Sequence, residues 1–402
     1  MPARNRAKKS AAPISREIRT STDPARTTPG ADAGVDRPDT NIVIAGLLGD
    51  LAAAQTDPHR KFGYKQAASA IRRLEEPIEA LVEPDGTLAR IPRIGPASAR
   101  VIMDVVRTGG SPFVEAAVDA SGRRADILRR RGCRDHFLSH ARVREILAGR
   151  TPGGPGRQDY HGDLQMHSTW SDGAQSLEAI FAAGIDRNYR FAAVTDHSAG
   201  LPIANGVPFS RFLEQRREIA RLNARHRGRF RLLSGVEANI RADGEVDVPL
   251  EERRLFDVVV AAPHSALRRA DMQTERMIAA VTAPGVHILG HPRGRMYGSR
   301  PGVAADWPRV FAAAARSGVA IELDGDPSRQ DLDWVLARQA LDAGCIFALD
   351  SDAHDVDEWS NVDCALAHAV LAGIPAERII NAWELDRLLA WAARRREGRA
   401  PA

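Results

Sequence analysis

From residue 160 onward, short apolar runs rich in β-formers keep ending in a histidine or a carboxylate: FAAVTDHS (191–198), LLSGVEANI (232–240), DVVVAAPHS (257–265), VHILGHPRGR (286–295) and IFALDSDAH (346–354). His197, Glu237, His264, His291, Asp352 and His354 all stand where such a run gives out. With the opening stretch of this region included, five histidines and three carboxylates occupy comparable places. One histidine at a strand end is ordinarily a structural residue, but eight potential ligands exceed what a structural network requires. Imidazole nitrogens and carboxylate oxygens without thiolates suit Zn²⁺, Mn²⁺ or Fe²⁺. Divalent ions held close together clamp a phosphate and acidify a water, so the chemistry indicated is metal-assisted hydrolysis. The three cysteines, Cys133, Cys345 and Cys364, are far apart and show no CxxC spacing, which argues against both a disulfide framework and a thiolate zinc site.

Stretches of helical length, such as SRFLEQRREIARLNARH and DWPRVFAAAARSG, separate the apolar runs. Strand followed by helix, repeated about seven times, predicts a parallel barrel related to the TIM architecture. In such barrels the loops after the strands form the active face, which lets ligands from distant sequence positions meet. The whole chain has 402 residues, 44% of them apolar and 27% charged, enough for about two to four domains. No run approaches the ~18–20 apolar residues of a membrane helix and no secretory signal opens the chain, so a soluble cytoplasmic protein is expected. Residues 1–40 combine Pro, Ser, Thr, Ala and charge without apolar periodicity and are expected to form a disordered basic tail. TPGGPG at 151–156 breaks helix and strand alike. The expected organisation is therefore a helical unit at 41–150, a linker at 151–159 and the barrel at 160–402. Net charge divides the same way: +3 for 1–40, +5 for 41–150 and −4 for 151–402. A basic front suits a polyanion and an acidic back suits cations, although two ordinary solvated surfaces would show the same balance.

Within the front unit, Ile44, Leu47, Leu48 and Leu51 follow helical spacing, as does the stretch from Phe62 through Ala67, Ala70 and Ile71 to Leu74. IPRIGPASARVIMDVVRTG (91–109) then reads as two short helices joined by a turn at Gly95, with Pro96 in the first helical turn. Backbone N–H groups at such a turn are free to hold a DNA phosphate, which makes Arg93, Gly95, Ala97 and Arg100 the candidate DNA contacts. Lys65 reads as a surface lysine. Arg123, Arg124, Arg129, Arg130, Arg131 and Arg134 crowd into one short stretch and read equally well as phosphate contacts or as a solvated helix face.

At this point the residues resemble known families. The span 41–150 looks like the small helix-hairpin-helix domain of family X DNA polymerases, although the usual first glycine of the hairpin is Arg93 here. GDLQMHSTWSDG (162–173), TDHS, GVEANI, APHS, GHP and SDAH, in this order, resemble the PHP (polymerase and histidinol phosphatase) domain over residues 160 to about 395. The resemblance implies a distorted TIM-like (β/α)7 barrel that holds about two or three divalent ions. It also implies that Glu237 bridges two of them, one completed by His167 and Asp352 and the second by His264 and His291, with Asp172, His197 and His354 around a third. Where the family opens with His-x-His, this chain has Gln165-x-His167, and an amide oxygen is the weaker ligand. Arg329, and with less support Arg293 and Arg295, are candidates to grip a substrate phosphate. Asp196 is a candidate to orient a ligand, while His161, His226, His287 and His368 fit no ligand position.

In the bacterial polymerases a nucleotidyltransferase domain separates these two modules, whereas here only the short linker does, so polymerisation is not expected. The resemblance implies a phosphoesterase acting on DNA ends as a 3′–5′ exonuclease, a 3′-phosphatase or both, with Asp352, His354 and Arg329 as catalytic residues and DNA gripped without sequence preference. A small-molecule phosphatase such as histidinol phosphatase is the second reading. A DNA-binding protein with a decayed barrel, Gln165 being the symptom, is the third.

Overall fold

The computed structural model describes residues 38–149, 154–226 and 228–398. The expected tail, apart from residues 38–40, residue 150 at the end of the expected helical unit and residues 151–153 of the expected linker lie outside them. Six helices make the front: α1 Thr40–Ala54, α2 Pro58–Arg72, α3 Pro96–Thr108, α4 Pro112–Ala120, α5 Arg124–Arg131 and α6 His140–Ala148. Asp39 and Asp57 cap α1 and α2 by accepting amide hydrogens of Ile42 and Arg60. Ile44, Leu48, Leu51, Ala67, Ile71, Val101, Ile102 and Val118 close into one apolar cluster, as their helical spacing requires.

Of the two short helices expected in 91–109 only the second forms, as α3, because residues 91–95 make a turn that leads into it, and this turn forms despite its missing glycine. Arg93 takes the left-handed backbone conformation, φ 66°, that a glycine would adopt freely, and its guanidinium reaches Gln66 Oε1 at 2.6 Å. An L-residue in that conformation costs about 1–2 kcal/mol. The arginine-rich stretch divides: Arg123, Arg124, Arg129 and Arg130 stay exposed, as the solvated-face reading expects, while Arg131 and Arg134 are drawn into the fold, which neither reading anticipated. Arg131 Nε and Arg134 Nη2 lie 2.7 and 2.6 Å from the two oxygens of fully buried Asp50. Arg131 also meets Glu115, Arg129 and Arg130 hold Asp126, Arg124 pairs with Asp119, and Arg123 donates to the carbonyl of Ala53.

The back of the chain forms one parallel sheet in sequential order: β1 Phe191–Val194, β2 Arg231–Asn239, β3 Val258–Ala262, β4 Ile288–Leu289, β5 Ala320–Asp324 and β6 Phe347–Asp350. The connections between strands carry α8 Phe209–Arg225, the short α9 Leu250–Arg253, α10 Thr274–Thr282, α11 Trp307–Ser317 and α12 Trp334–Asp342, while α7 Leu177–Asp186 precedes β1 and α13 Val362–Ala372 and α14 Leu385–Arg396 follow β6. The strand count differs from the expected seven. Residues 161–167 lie between β1 and β6, with Asp163 O and Met166 O accepting from Ala193 and Thr195 on one side and His167 N donating to Ala353 O on the other, yet they form no regular strand. Here Asp350 Oδ1 accepts the Leu164 amide in place of a backbone partner, so a side chain interrupts the ladder.

Strand parity decides what faces inward. Phe191, Ala193, Leu233, Val258, Val260, Ala320 and Ala348 fill the interior together with Leu388 and Trp391 of α14, which closes that end. Along the same inward face, Ala320 is followed by Glu322 and Asp324, and Ala348 by Asp350 and Asp352, so the interior turns acidic toward the strand ends. His287 and His368, given no role above, are structural. His287 Nδ1 accepts the Val259 amide while its Nε2 donates to Ala392 O, and burial pushes its pKa down to about 3.

Helix α6 rests on α13 through Leu138, Val143, Ile146, Cys364 and Ala367, seating the front helices against the barrel. Because two guanidinium groups converge on Asp50 away from water, Asp50→Ala is expected to lower unfolding free energy by about 3–5 kcal/mol in urea titrations of the full chain. A loss below about 1 kcal/mol would mean that the pair behaves as an exposed one.

Candidate metal centre

Five strand ends and the 165–172 loop deliver their polar side chains to one place. Glu237, at the inward end of β2, is 1% exposed and lies among four imidazoles. Its Oε1 is 2.9 Å from His291 Nε2 and 3.1 Å from His264 Nε2; its Oε2 is 3.0 Å from His197 Nδ1 and 3.5 Å from His167 Nε2. His167 Nε2 also lies 3.1 Å from Asp352 Oδ1. Asp172 Oδ1 stands 3.7 and 3.6 Å from His197 Nε2 and His354 Nε2, at the more open rim. The His167 ring stacks between those of His197 and His354, with centroids 4.4 and 4.3 Å away. All eight histidines and carboxylates singled out in the sequence are thus brought together. Gln165 joins them, fully buried, with Nε2 3.5 Å from Asp352 Oδ1 and no partner for Oε1.

The charges in this cage are mutually constrained. Burial pushes Glu237 up, but the neighbouring His197 and His264 more than offset it and hold the carboxyl well below its ordinary value. Asp352 is likewise raised by burial and lowered further by Arg329 and His167, so it stays ionised. His354, disfavoured as a cation by burial, is lifted to about 9 by Asp172 and Asp352. Arg329 Nη1 reaches Asp352 Oδ2 at 3.3 Å.

Whether these residues suit divalent ions is tested by their unmet bonding. Glu237 Oε2, Asp352 Oδ2, both ring nitrogens of His264, and Nδ1 of His167, His197 and His291 are buried without a hydrogen-bond partner. Two of these atoms, His197 Nδ1 and Glu237 Oε2, are 3.0 Å apart, and His264 Nε2 lies 3.1 Å from the other Glu237 oxygen, in each case without being aligned to bond. Leaving such groups unpaired in the interior is costly, and lone pairs that approach without bonding suit a shared cation. Three sets of mutually close ligand atoms result: His167, Asp172, His197 and His354; His197, Glu237 and His264; and His167, Glu237 and Asp352. The sets overlap at His167, His197 and Glu237, and His291 joins through Glu237, so the partition differs in detail from the one that the family resemblance implies.

The supports are partly ones that sequence reading missed. Asp196 is buried and holds the 168–171 loop: its oxygens accept from Ser168 N at 2.8 Å, Ser168 Oγ at 2.6 Å, Ser171 Oγ at 2.6 Å and Gln215 Nε2. A Cβ on Gly173 would stand 2.4 Å from His167 O, so only glycine lets this loop fold back. His291 and Asp352 both have positive φ, 22° and 51°, strain of the kind found where function fixes the backbone. Glu322, Asp324 and Asp350 lie beneath the cage, and burial among like charges raises all three, Asp350 to about 6. Arg293 and Arg295 are committed elsewhere: Arg293 bonds Asp333 and Pro301 O, while Arg295 bonds Asp333, Asp135 O and Arg329 O. Of the three candidate arginines, Arg329 alone contacts a cage residue.

Comparison with known proteins accords with this geometry. A helix-hairpin-helix domain model matches residues 39–111. DNA polymerase/3′-5′ exonuclease PolX of Bacillus subtilis is 34% identical over 234 residues, which are 58% of this chain and 41% of that protein, so this chain spans less than half of it. A probable phosphatase of Edwardsiella ictaluri is 30% identical over 234 residues, 56% of this chain and 90% of its own length. The chain belongs to the PHP family. It is accordingly a metal-dependent phosphoesterase, built as a PHP barrel behind a helix-hairpin-helix unit. The solved histidinol phosphate phosphatase of Lactococcus lactis, complexed with zinc, L-histidinol and phosphate, overlaps 53% of this chain and 93% of its own at a TM-score of 0.41 and 16% identity. Among the described residues no helix is long and apolar enough to cross a membrane.

For the PHP barrel purified with Mn²⁺, elemental analysis is expected to find about two to three ions per chain, and metal is expected to raise the thermal midpoint. Glu237→Gln should lose at least one ion and most of the thermal shift; unchanged stoichiometry would remove Glu237 from the centre.

Proposed function

We propose that this protein hydrolyses phosphoester bonds at DNA ends, as a 3′–5′ exonuclease, a 3′-phosphatase or both. The observation that carries this reading is the seating of a helix-hairpin-helix unit against the loop that bears Arg329. A small phosphate monoester has no use for such a module, whereas a polyanion gains affinity from it. Nothing lies within 4 Å of a Cβ built on Gly95, and no side chain caps α3, so its N-terminal amides are open to a phosphate. Arg93 and Arg100 are both exposed beside this turn, Arg100 lying over the Phe113 ring.

In this reading Glu237, His167, Asp352, His264 and His291 hold the inner ions, and Asp172, His197 and His354 hold the outer one. Bound divalent ions supply Lewis-acid charge and an acidified water. The side chains do the remainder. Asp352, kept ionised, anchors the Arg329 guanidinium, whose remaining N–H groups are available to phosphoryl oxygens. Burial disfavours the Arg329 cation, but Asp352, Asp324 and Asp326 more than offset this, so it stays charged as negative charge develops. His354 and Asp172, on the open rim, are placed where a strand end enters. Gln165 contributes a neutral amide at the inner wall, which favours Mn²⁺ over zinc there.

With Mn²⁺ the protein is expected to shorten or dephosphorylate a 3′-labelled oligonucleotide, and Asp352→Ala to slow this by about 10³-fold or more. Equal rates in the variant, or faster turnover of histidinol phosphate than of 3′-phosphorylated DNA, would defeat the DNA-end reading. Arg93→Ala and Arg100→Ala are each expected to weaken DNA binding and flatten the log K against log salt slope by about 1. An unchanged slope would place DNA on another surface.

A further inference from the structure

Arg329 sits in the loop that follows β5, and the residues on either side of it are tied to the front helices rather than to the barrel alone. Gln330 is fully buried. Its Oε1 accepts the Leu138 amide hydrogen at 2.8 Å, its Nε2 donates to the Leu138 carbonyl at 2.9 Å, and His368 Nε2 donates to the same Oε1 at 2.9 Å. Only one amide orientation satisfies both groups of Leu138, so the side chain is fixed in rotation as well as position. On the other side, Arg329 O accepts from Arg295 Nε at 3.0 Å, and Arg295 Nη1 donates to Asp135 O at 3.0 Å. The Arg295 guanidinium also lies 4.0 Å from the Phe137 ring centroid.

The backbone at Gln330 makes these ties consequential. Its φ is 45°, a left-handed conformation that an L-residue with a long side chain leaves unless the surroundings hold it. Gln330 N and Arg329 N both donate to Asp326 O at 2.8 Å, so rotation at Gln330 is felt directly at Arg329. The Arg329–Asp352 contact of 3.3 Å therefore depends on a conformation that barrel groups, Asp326 O and His368 among them, hold jointly with Leu138 of the front unit.

We propose that Gln330 is a positioning residue through which residues 135–138 of the front helical unit hold Arg329 against Asp352. The helical unit then serves the barrel in addition to any contact with DNA, because it completes the arginine's setting. This inference rests on the role given to Arg329 above but not on DNA being the substrate.

The test uses the full chain, Mn²⁺ and p-nitrophenyl phosphate. Gln330→Met preserves length and packing while removing all three side-chain hydrogen bonds, and is expected to lower kcat about tenfold. Arg329→Ala is expected to cost more, and adding Gln330→Met to it to cost nothing further. A merely structural Gln330 would lower the melting temperature equally in both backgrounds, and its kinetic cost would multiply with that of Arg329→Ala. Such multiplication, or a kcat within about twofold of wild type for Gln330→Met, overturns the proposal. Should the variant not fold, amide exchange in the wild-type chain decides. Leu138, Arg329 and Gln330 are expected to open together, with protection factors within about threefold of each other, whereas exchange of Leu138 orders of magnitude ahead of Arg329 overturns the coupling. Turnover of the chromogenic ester without turnover of DNA would remove the DNA-end reading and leave this test intact.

Discussion

A carboxylate buried among imidazoles determines much of how this molecule is built. Glu237 is out of water, and each of its oxygens faces two histidine rings. Burying a charge at that depth requires compensation, and the protonated rings offer it only by taking up charge that burial also disfavours. Divalent cations resolve the conflict, because they satisfy the carboxylate and let the rings remain neutral donors of lone pairs. The strained φ at Asp352, the four-fold bonding of Asp196 and the glycine at 173 all hold ligand atoms in place around that arrangement.

The strand ends were legible because two physical rules coincide there. Parallel strands buried on both faces read as unbroken apolar runs, and barrel geometry sends the next inward side chain into the mouth. A histidine or acid at that point is conspicuous in the sequence. Asp196 was legible as a candidate to orient a ligand but not as the anchor of the 168–171 loop, and Glu322 and Gln330 were not legible as supports at all. Their function depends on partners 28, 31 and 192 residues away that only the fold supplies. The arginine stretch at 123–134 was legible only in part: Arg123, Arg124, Arg129 and Arg130 form an exposed face, but charge density says nothing of Asp50, which lies 81 residues before Arg131 and takes it up together with Arg134. The missing seventh strand is a local matter, since the Asp350 side chain takes a bond that a ladder would have made.

Arg93 and Gln330 show how a sequence departs from an expected pattern while keeping the backbone that the pattern serves. At Arg93 the left-handed turn persists with an arginine in place of glycine, at an energetic cost and with a cation added beside the helix end. At Gln330 a left-handed residue is held by a side-chain amide that bridges to the helical unit. In the proposed reading both features join the front of the molecule to phosphate chemistry, one as a candidate contact and the other through the setting of Arg329.

The central claim is that imidazoles and acids from five separate loops enclose several cations around one carboxylate, Glu237 of β2. Anomalous scattering from crystals of the Mn²⁺-loaded protein tests it most directly. Peaks on both sides of Glu237, within about 2.0–2.4 Å of its oxygens and of the facing histidine nitrogens, are the result the account predicts. Density confined to the protein surface, with the Glu237 cage holding no scatterer, would contradict it.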